Sequence, residues 1–600
     1  LLHRLREHAR SGPERVAFQQ VDRELRVTRE LTYAELWERT RAGAAVLRQV
    51  AVPGERVLIF FEPGIEPLLA FLATLAAGLV AVPAALPPAV SAALAQRKPS
   101  ATRRMEATSN LLADAEPRVV LAAAEARDKV AALLADGAHA IPVLAQEDVT
   151  RNIEPAPLDE SRRLEARAPM PPDLPAPENL AFLQYTSGST ALPKGVAVTH
   201  ANLVHNLTAI GPFVRSHRES VFISWLPMFH DMGLVGDALH PLWAGCRCVK
   251  LLPADFLRRP RLWMAAAAKF GGTITGGPNF AYALAAQQAE NNAAPLDLSR
   301  LEVCYCGSEP IRAATMEAFA AAHAPHGLRR GALFPCYGMA ESTLLVSGVK
   351  GDAPFAVGSQ ASGLTRHAGV SPAVDGSDSP EGCLPGQAGT PVFRNDRTAN
   401  DRAAEPVVSC GFVAEAEVTI LDPETGAVLP DGTVGEIVVR SRSISPGYWR
   451  DLKTEAARTF PDEPRTLRTG DLGFLRDAQL YVSGRIKNTL IVRGRKLVAE
   501  DVESLIEREL AAVERVRAAV FPVATARGEE VVVLIEGAFA DDEKANAEAT
   551  ARAALGEACG FVPAHVGLVR PGSLPRTTSG KLQRQLAAAL WAAQQSPSTV

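Results

Sequence analysis

Residues 180–195 read LAFLQYTSGSTALPKG. The apolar run Leu180–Leu183 reads as the end of a strand. Thr186, Ser187, Ser189 and Thr190 then crowd around Gly188, and Pro193, Lys194 and Gly195 close the segment. Small hydroxyl residues leave backbone N–H groups open to an anion, glycine lets the chain approach closely, and lysine adds charge. Such a loop is built to hold a polyphosphate. A Walker A loop has Gly directly before its Lys and Ser or Thr after it; here Pro193 precedes Lys194 and Gly195 follows. Taken alone, the segment also reads as a plain polar turn.

The flanks decide the fold class. Residues 31–83 alternate helical and strand patterns: a helix at Tyr33–Val50, a strand at Arg56–Phe60, a helix at Ile65–Ala77 and a strand to Val82. That alternation predicts a parallel sheet covered by helices. It continues through 108–145, where Val119–Leu121 and Ile141–Leu144 read as strands, pauses in a Pro-, Glu- and Arg-rich connector at 154–178, and resumes over 179–349. Residues 350–406 lose periodicity and are rich in Gly, Pro, Ser and Asp; so long an irregular segment is usually functional or disordered. Short strands and turns follow from Glu415 to Val439. Beyond about residue 485, helices at Ala499–Leu510 and Glu543–Cys559 and strands at Ala518–Pro522, Val531–Ile535 and Gly567–Val569 predict a separate α+β domain. The expected fold class is α/β: a large N-terminal domain (1–483) of α/β subdomains plus a small β-barrel-like part, and a smaller mobile C-terminal α+β domain (484–600).

Composition narrows the function. At 600 residues the chain exceeds one core. A hydrophobic share of 47%, a charged share of 22% and a net charge of −4 give no support to a nucleic-acid binder. The longest apolar run, Leu68–Val82, is broken by Gly78 and bounded by prolines, so no membrane span is expected. The opening LLHRLREHAR reads as an amphipathic helix, not a secretory signal, and the missing initial Met leaves open a piece of a longer polypeptide. Cys246/Cys248 and Cys304/Cys306 are spaced C-x-C in apolar runs, which predicts buried thiols rather than zinc ligands. With eight cysteines in the whole chain, a reducing, cytoplasmic setting is expected.

Further motifs stand in a fixed order: SWLPMFHDMGLVG at 224–236, GGPNFAY at 276–282, CGSEP at 306–310, CYGMAESTLLVSG at 336–348, RTGDLGFL at 468–475, GRIKNTLIVRGR at 484–495 and LPRTTSGKLQR at 574–584. Singly, His230 reads as a core histidine, Asp471 as a turn residue and Lys581 as a surface charge. Together, the motifs resemble the adenylate-forming superfamily of acyl-CoA synthetases, adenylation domains and luciferases. PMFHDMGL, GGPNFAY, AESTLLVSG, VVSCG (Val407–Gly411) and the long segment before it are similar to the fatty acyl-AMP ligases, as is Ala340 in place of the commoner Thr.

The resemblance implies the roles. Thr186, Ser187, Gly188, Ser189, Thr190 and Lys194 would hold the ATP phosphates, and Glu341 would bind Mg²⁺. Lys581 would bridge the carboxylate and α-phosphate. Asp471 and Arg485 would hold the ribose. Gly307, Ser308, Glu309 and Pro310, with Tyr337, Gly338, Met339 and Ala340, would frame the nucleotide. His230 would stand at the mouth of an acyl pocket lined by Trp225, Met228, Phe229, Met232, Gly277 and Phe280, with Leu234 and Tyr282 as further candidates. The implied activity is conversion of a fatty acid and ATP to acyl-AMP, then acyl transfer to the phosphopantetheine of an acyl carrier protein. The alternatives are transfer to free CoA, an amino-acid adenylation domain, and a non-catalytic nucleotide-binding relative. The apolar residues after Asp231 offer no partner for an α-amino group, and the intact Lys194, Glu341, Asp471 and Lys581 argue against decay. Two departures stand out: Asn488 where the family usually carries an acid, and RKLVAE at 495–500.

Overall fold

A computed structural model describes residues 1–62, 64–87, 90, 108–135, 141–150, 175–186, 194–289, 295–349, 356–358, 407–450, 459–460, 463–492, 495–513, 516–525, 528–559, 561–576 and 582–595. The first sheet runs in the order Val143–Ala145, Val119–Ala122, Arg56–Phe61, Val80–Ala85, Leu180–Thr186, Lys194–Thr199. The first five strands are parallel and the last is antiparallel. Their near-continuous apolar runs suit strands buried on both faces. Helix Tyr33–Leu47 starts on a capping box, with Thr32 and Glu35 each satisfying a backbone N–H of the other. Helix Glu66–Ala76 is buried almost all round, as its sequence EPLLAFLATLA requires.

The second sheet has a parallel half and an antiparallel half. Val16–Val21, Arg247–Lys250, Val221–Ser224, Ile274–Gly277, Val303–Cys306 and Leu333–Gly338 lie side by side and parallel, with Val27–Thr32 antiparallel at the edge. Past Leu333–Gly338 the pairing turns antiparallel, through Leu345–Gly348, Val407–Val413, Gln479–Arg485, Glu463–Arg476, Gly435–Arg440 and Glu417–Leu421. The β-rich stretch expected as a small barrel-like part is therefore, in the described strands, an open antiparallel continuation of the large sheet.

Residues from Leu490 onward pack into clusters of their own, around Ile506, Val520, Val533 and Leu555 and around Phe521, Leu574 and Ala587. Arg517–Thr525, Gly528–Glu536 and His565–Val569 form their sheet, covered by Ala499–Glu509, Asp541–Cys559 and Arg584–Gln595. Asn488 Nδ2 donates to Glu500 Oε1 at 2.6 Å, tying the ribbon before this unit to its first helix. Cys246, Cys248, Cys304 and Cys306 are buried, and burial pushes the Cys246 and Cys304 thiols up to about 12.

Of the connector expected at 154–178, only 175–178 is described; of 350–406, only 356–358. Val357 and Gly358 pair with Val408 and Val407, so the two ends of the intervening segment lie one strand spacing apart.

Candidate active site

Four of the motifs fall on segments that leave the carboxyl ends of parallel strands in the two sheets. In open α/β sheets this is where ligands bind. Leu180–Thr186 leads into 187–193, Val221–Ser224 into the 225–231 turn, Val303–Cys306 into 307–310, and Leu333–Gly338 into the 339–343 turn.

One polar group of the candidate site is built around the buried Asp471. Its Oδ2 accepts the Tyr337 hydroxyl at 2.6 Å, and its Oδ1 pairs with Arg485 Nε at 2.7 Å. Asp471 and Arg485 are direct cross-strand partners in the antiparallel half of the sheet. Burial, then the Asp471 charge, pushes the Tyr337 phenol well up, so it remains a donor. The same carboxylate raises the Arg485 guanidinium. Each Asp471 oxygen keeps a second lone pair, so ribose hydroxyls could donate to it without breaking these contacts.

The turns beside it are tight. A Cβ on Gly338 would stand 1.8 Å from the Leu344 carbonyl oxygen, which only glycine avoids. Ser308 sits at φ 72° and Thr343 at φ 67°, both left-handed; for a β-branched residue this is strained. Thr343 Oγ1 donates to the Ser443 carbonyl at 2.8 Å, which holds the turn that carries Glu341. Glu309 Oε1 accepts the Phe280 N–H at 2.6 Å, so this carboxylate also caps the helix Asn279–Ala289.

Thr186 and Lys194 are paired in register at the ends of two antiparallel strands. Ser187, Gly188, Ser189 and Thr190 lie outside the described residues, as does the Thr186 side chain. Lys194 Nζ stands 5.4 Å over the Tyr448 ring, a cation–π contact. The Tyr448 hydroxyl donates to Glu341 Oε1 at 2.5 Å. Sequence reasoning did not single out Tyr448. It arrives because Tyr448 bridges to Val196 and the Trp449 N–H donates to the Gly195 carbonyl at 2.7 Å, a long-range pairing without a periodic signal. Among the described residues there is no cluster of three acidic, His or Cys side chains that could hold a metal. Glu341 alone suits Mg²⁺, which commonly takes one or two carboxylates plus substrate phosphates and waters.

The apolar wall begins after Ser224. Trp225 is buried, stacks on Phe256 at 3.8 Å and meets Phe280 edge-on at 6.2 Å. A Cβ on Gly277 would come within 2.9 Å of the Trp225 ring, so glycine there admits the indole. Met228 is buried, while Phe229, Met232 and Phe280 are half-buried against the core. The His230 ring lies 4.7 Å from Phe229. Leu234 is fully buried, and so is Tyr282, whose hydroxyl donates to the Tyr305 carbonyl at 2.7 Å.

Met232–Leu239 is a π-helix, a form frequent at functional sites. A buried network pins it, and sequence reasoning missed this too. Ser224 Oγ and Tyr305 Oη both donate to Asp237, and Lys250 Nζ donates to Ser224 Oγ at 2.8 Å and to the Leu226 carbonyl at 3.0 Å. Burial raises Asp237 and lowers Lys250. The only sequence hint is an Asp inside the apolar run GLVGDAL and a Lys ending RCVK.

Lys581 lies outside the described residues. Its neighbour Leu582 bridges Arg576.

A family model described as AMP-binding enzyme matches residues 5–449. The medium-chain-fatty-acid–[acyl-carrier-protein] ligase JamA of Moorena producens is 33% identical over 570 residues, covering 92% of this chain and 88% of that one. A Mycobacterium tuberculosis protein provisionally named fatty-acid–CoA ligase fadD25 is 33% identical over 610 residues, covering 97% of this chain and 95% of that one. A structure from a study of fatty acyl-adenylate ligases of E. coli and L. pneumophila superposes with TM-score 0.81 at 28% identity, covering 99% of this chain and 98% of that one. The chain belongs to the AMP-binding enzyme family, and within it to the fatty acyl-AMP ligases.

Proposed function

We propose that this chain activates a fatty acid with ATP to give acyl-AMP and pyrophosphate, then passes the acyl group to the phosphopantetheine thiol of an acyl carrier protein. The observation that carries this is the pair of side-chain groups Tyr337–Asp471–Arg485 and Lys194–Tyr448–Glu341, joined through Tyr337 and Glu341 of one motif, with the apolar residues from Trp225 following another strand end.

A fatty carboxylate is already ionised near pH 7, since carboxyl pKa values lie near ~4–5. No base is needed to make the nucleophile. The obstacle is an anion approaching a polyanionic triphosphate. The site answers with charge and alignment. Lys194 and the 187–190 loop would hold the β- and γ-phosphates. Glu341 would hold Mg²⁺, whose charge offsets that of the phosphates. Lys581, on the unit after Gly484, would span the carboxylate and α-phosphate. Asp471 and Arg485 would fix the ribose, the 307–310 and 337–340 turns the base. His230 would meet the carboxylate, and Trp225, Met228, Phe229, Met232, Gly277 and Phe280 would line the chain's path. An acyl adenylate hydrolyses, so a dry site protects it.

Release of pyrophosphate on adding dodecanoate to enzyme, ATP and Mg²⁺ tests the first half-reaction. Release independent of the acid would overturn it. Transfer to free CoA is the second reading, which the name of the fadD25 relative favours; it shares the first step and parts from the first reading only at the acceptor.

A further inference from the structure

The turn that follows the nucleotide segment 306–310 reaches across to the C-terminal unit. Arg312 Nη1 pairs with Glu507 Oε2 at 2.8 Å. Arg312 is held from its own side: its N–H donates to Asn279 Oδ1 at 3.0 Å, and its backbone bridges Val407. Glu507 is held from the other side. It lies on the helix Ala499–Glu509, and its Oε1 accepts the Ala518 N–H at 3.0 Å. The side chains are 36% and 11% exposed, so water screens this pair less than an ordinary surface pair. Both ends are preorganised, and the pair joins the turn that would frame the nucleotide to the unit that would deliver Lys581.

We propose that the Arg312–Glu507 ion pair is a latch that holds the C-terminal unit in the orientation competent for adenylation and must open before acyl transfer. This rests on the two-step reading above. Lys487 and Asn488 lie in the short 3-10 turn between Arg485, paired to Asp471, and the ribbon tied to Glu500. Rotation there would carry Glu507 away from Arg312, because a contact of this length cannot survive a domain-scale swing. The latch biases a two-state equilibrium in favour of one half-reaction at the expense of the other. Arg312 and Glu507 are positioning residues: neither needs to touch substrate.

The test uses the full chain with orthogonal keto-amino-acid labels at Val428 and Val562, both well exposed and on opposite sides of the hinge. Inter-label energy transfer reports orientation without any substrate. Arg312→Gln should broaden the distance distribution and slow pyrophosphate release with dodecanoate by roughly three- to tenfold, the range for one partly screened pair. Hydrolysis-corrected transfer from supplied dodecanoyl-AMP should hold or rise. Glu507→Arg could also disturb the Ala518 contact, so the swap Arg312→Glu with Glu507→Arg is judged against Arg312→Glu alone: recovery of orientation supports the latch. An unchanged label distribution in Arg312→Gln, or additive losses in the swap, overturns it. If wild type releases no pyrophosphate while the labels still respond to Arg312→Gln, the latch stands and the proposed reaction fails.

Discussion

Glu341 carries the metal argument on a single carboxylate, and Tyr448 aims it. Glu341→Gln should slow adenylation and raise the Mg²⁺ concentration needed for half-maximal rate, because a neutral amide is a poorer ligand for a hard dication. An unchanged Mg²⁺ titration would make Glu341 structural. Tyr448→Phe keeps the ring beneath Lys194 and removes the 2.5 Å hydrogen bond to Glu341. Hydrogen bonds to charged groups contribute about 1.5–3 kcal/mol. The variant should therefore shift the same Mg²⁺ titration while leaving the KM for ATP less affected than in Lys194→Ala. At this scale the sequence singled out Tyr337, Glu341, Lys194 and Asp471 because each sits in a fixed motif, and the structure brings Tyr337 to Asp471 and both Glu341 and Lys194 to Tyr448. Tyr448, Asp237 and Lys250 were not legible, because their partners come from strands distant in the chain.

Elements were readable where an apolar run marks them. Arg56–Phe61 and Val119–Ala122 occur within a residue of their expected places, and Tyr33–Leu47 begins where expected but ends short of Val50. The π-helix Met232–Leu239 was not readable, since its composition is that of an ordinary apolar helix. Gly233 is its weak point: a Cβ there would stand 2.2 Å from the Pro227 carbonyl oxygen, a backbone atom that cannot step aside. Gly233→Ala should cost about 1–3 kcal/mol by overpacking, read as a lower denaturant midpoint, and raise the KM for dodecanoate more than that for ATP. Equal changes in both would remove the link between this helix and the acyl path. The irregular segment after Gly358 is a second test at this scale. Its flanks pair at Val357–Val408 and Gly358–Val407, so a brief Gly/Ser link replacing 360–405 can join them without strain. The resemblance to fatty acyl-AMP ligases implies an insertion here that would restrain the C-terminal residues. The shortened chain should keep pyrophosphate release and gain CoA use. Loss of both would mean the segment supports the fold.

At the scale of the whole molecule, the reading requires one unit to serve two half-reactions. Residues from Leu490 onward have their own clusters around Ile506 and Phe521, and Glu507 among them pairs with Arg312. Lys581→Ala should nearly abolish acyl-AMP formation, since losing one charge contact at a transferring phosphoryl centre commonly costs on the order of 10²–10³ in rate. Transfer from supplied acyl-AMP should survive. Equal loss of both steps would contradict a division of labour between orientations. The alternation of helices and strands made the α/β layering legible. The continuous sheet was not, because antiparallel pairing across Leu345–Gly348 and Val407–Val413 joins segments separated by the irregular stretch.

The most direct test is a product analysis. Wild-type chain is incubated with ATP, Mg²⁺ and a panel of C4–C18 acids, with free CoA and with a phosphopantetheinylated acyl carrier protein in turn, and the acyl-AMP, acyl-CoA and acyl-carrier products are resolved by mass. The account predicts acyl-AMP with fatty acids, acyl-carrier product when the carrier is present, and little or no acyl-CoA. Acyl-CoA formed at the rate of adenylation would contradict it.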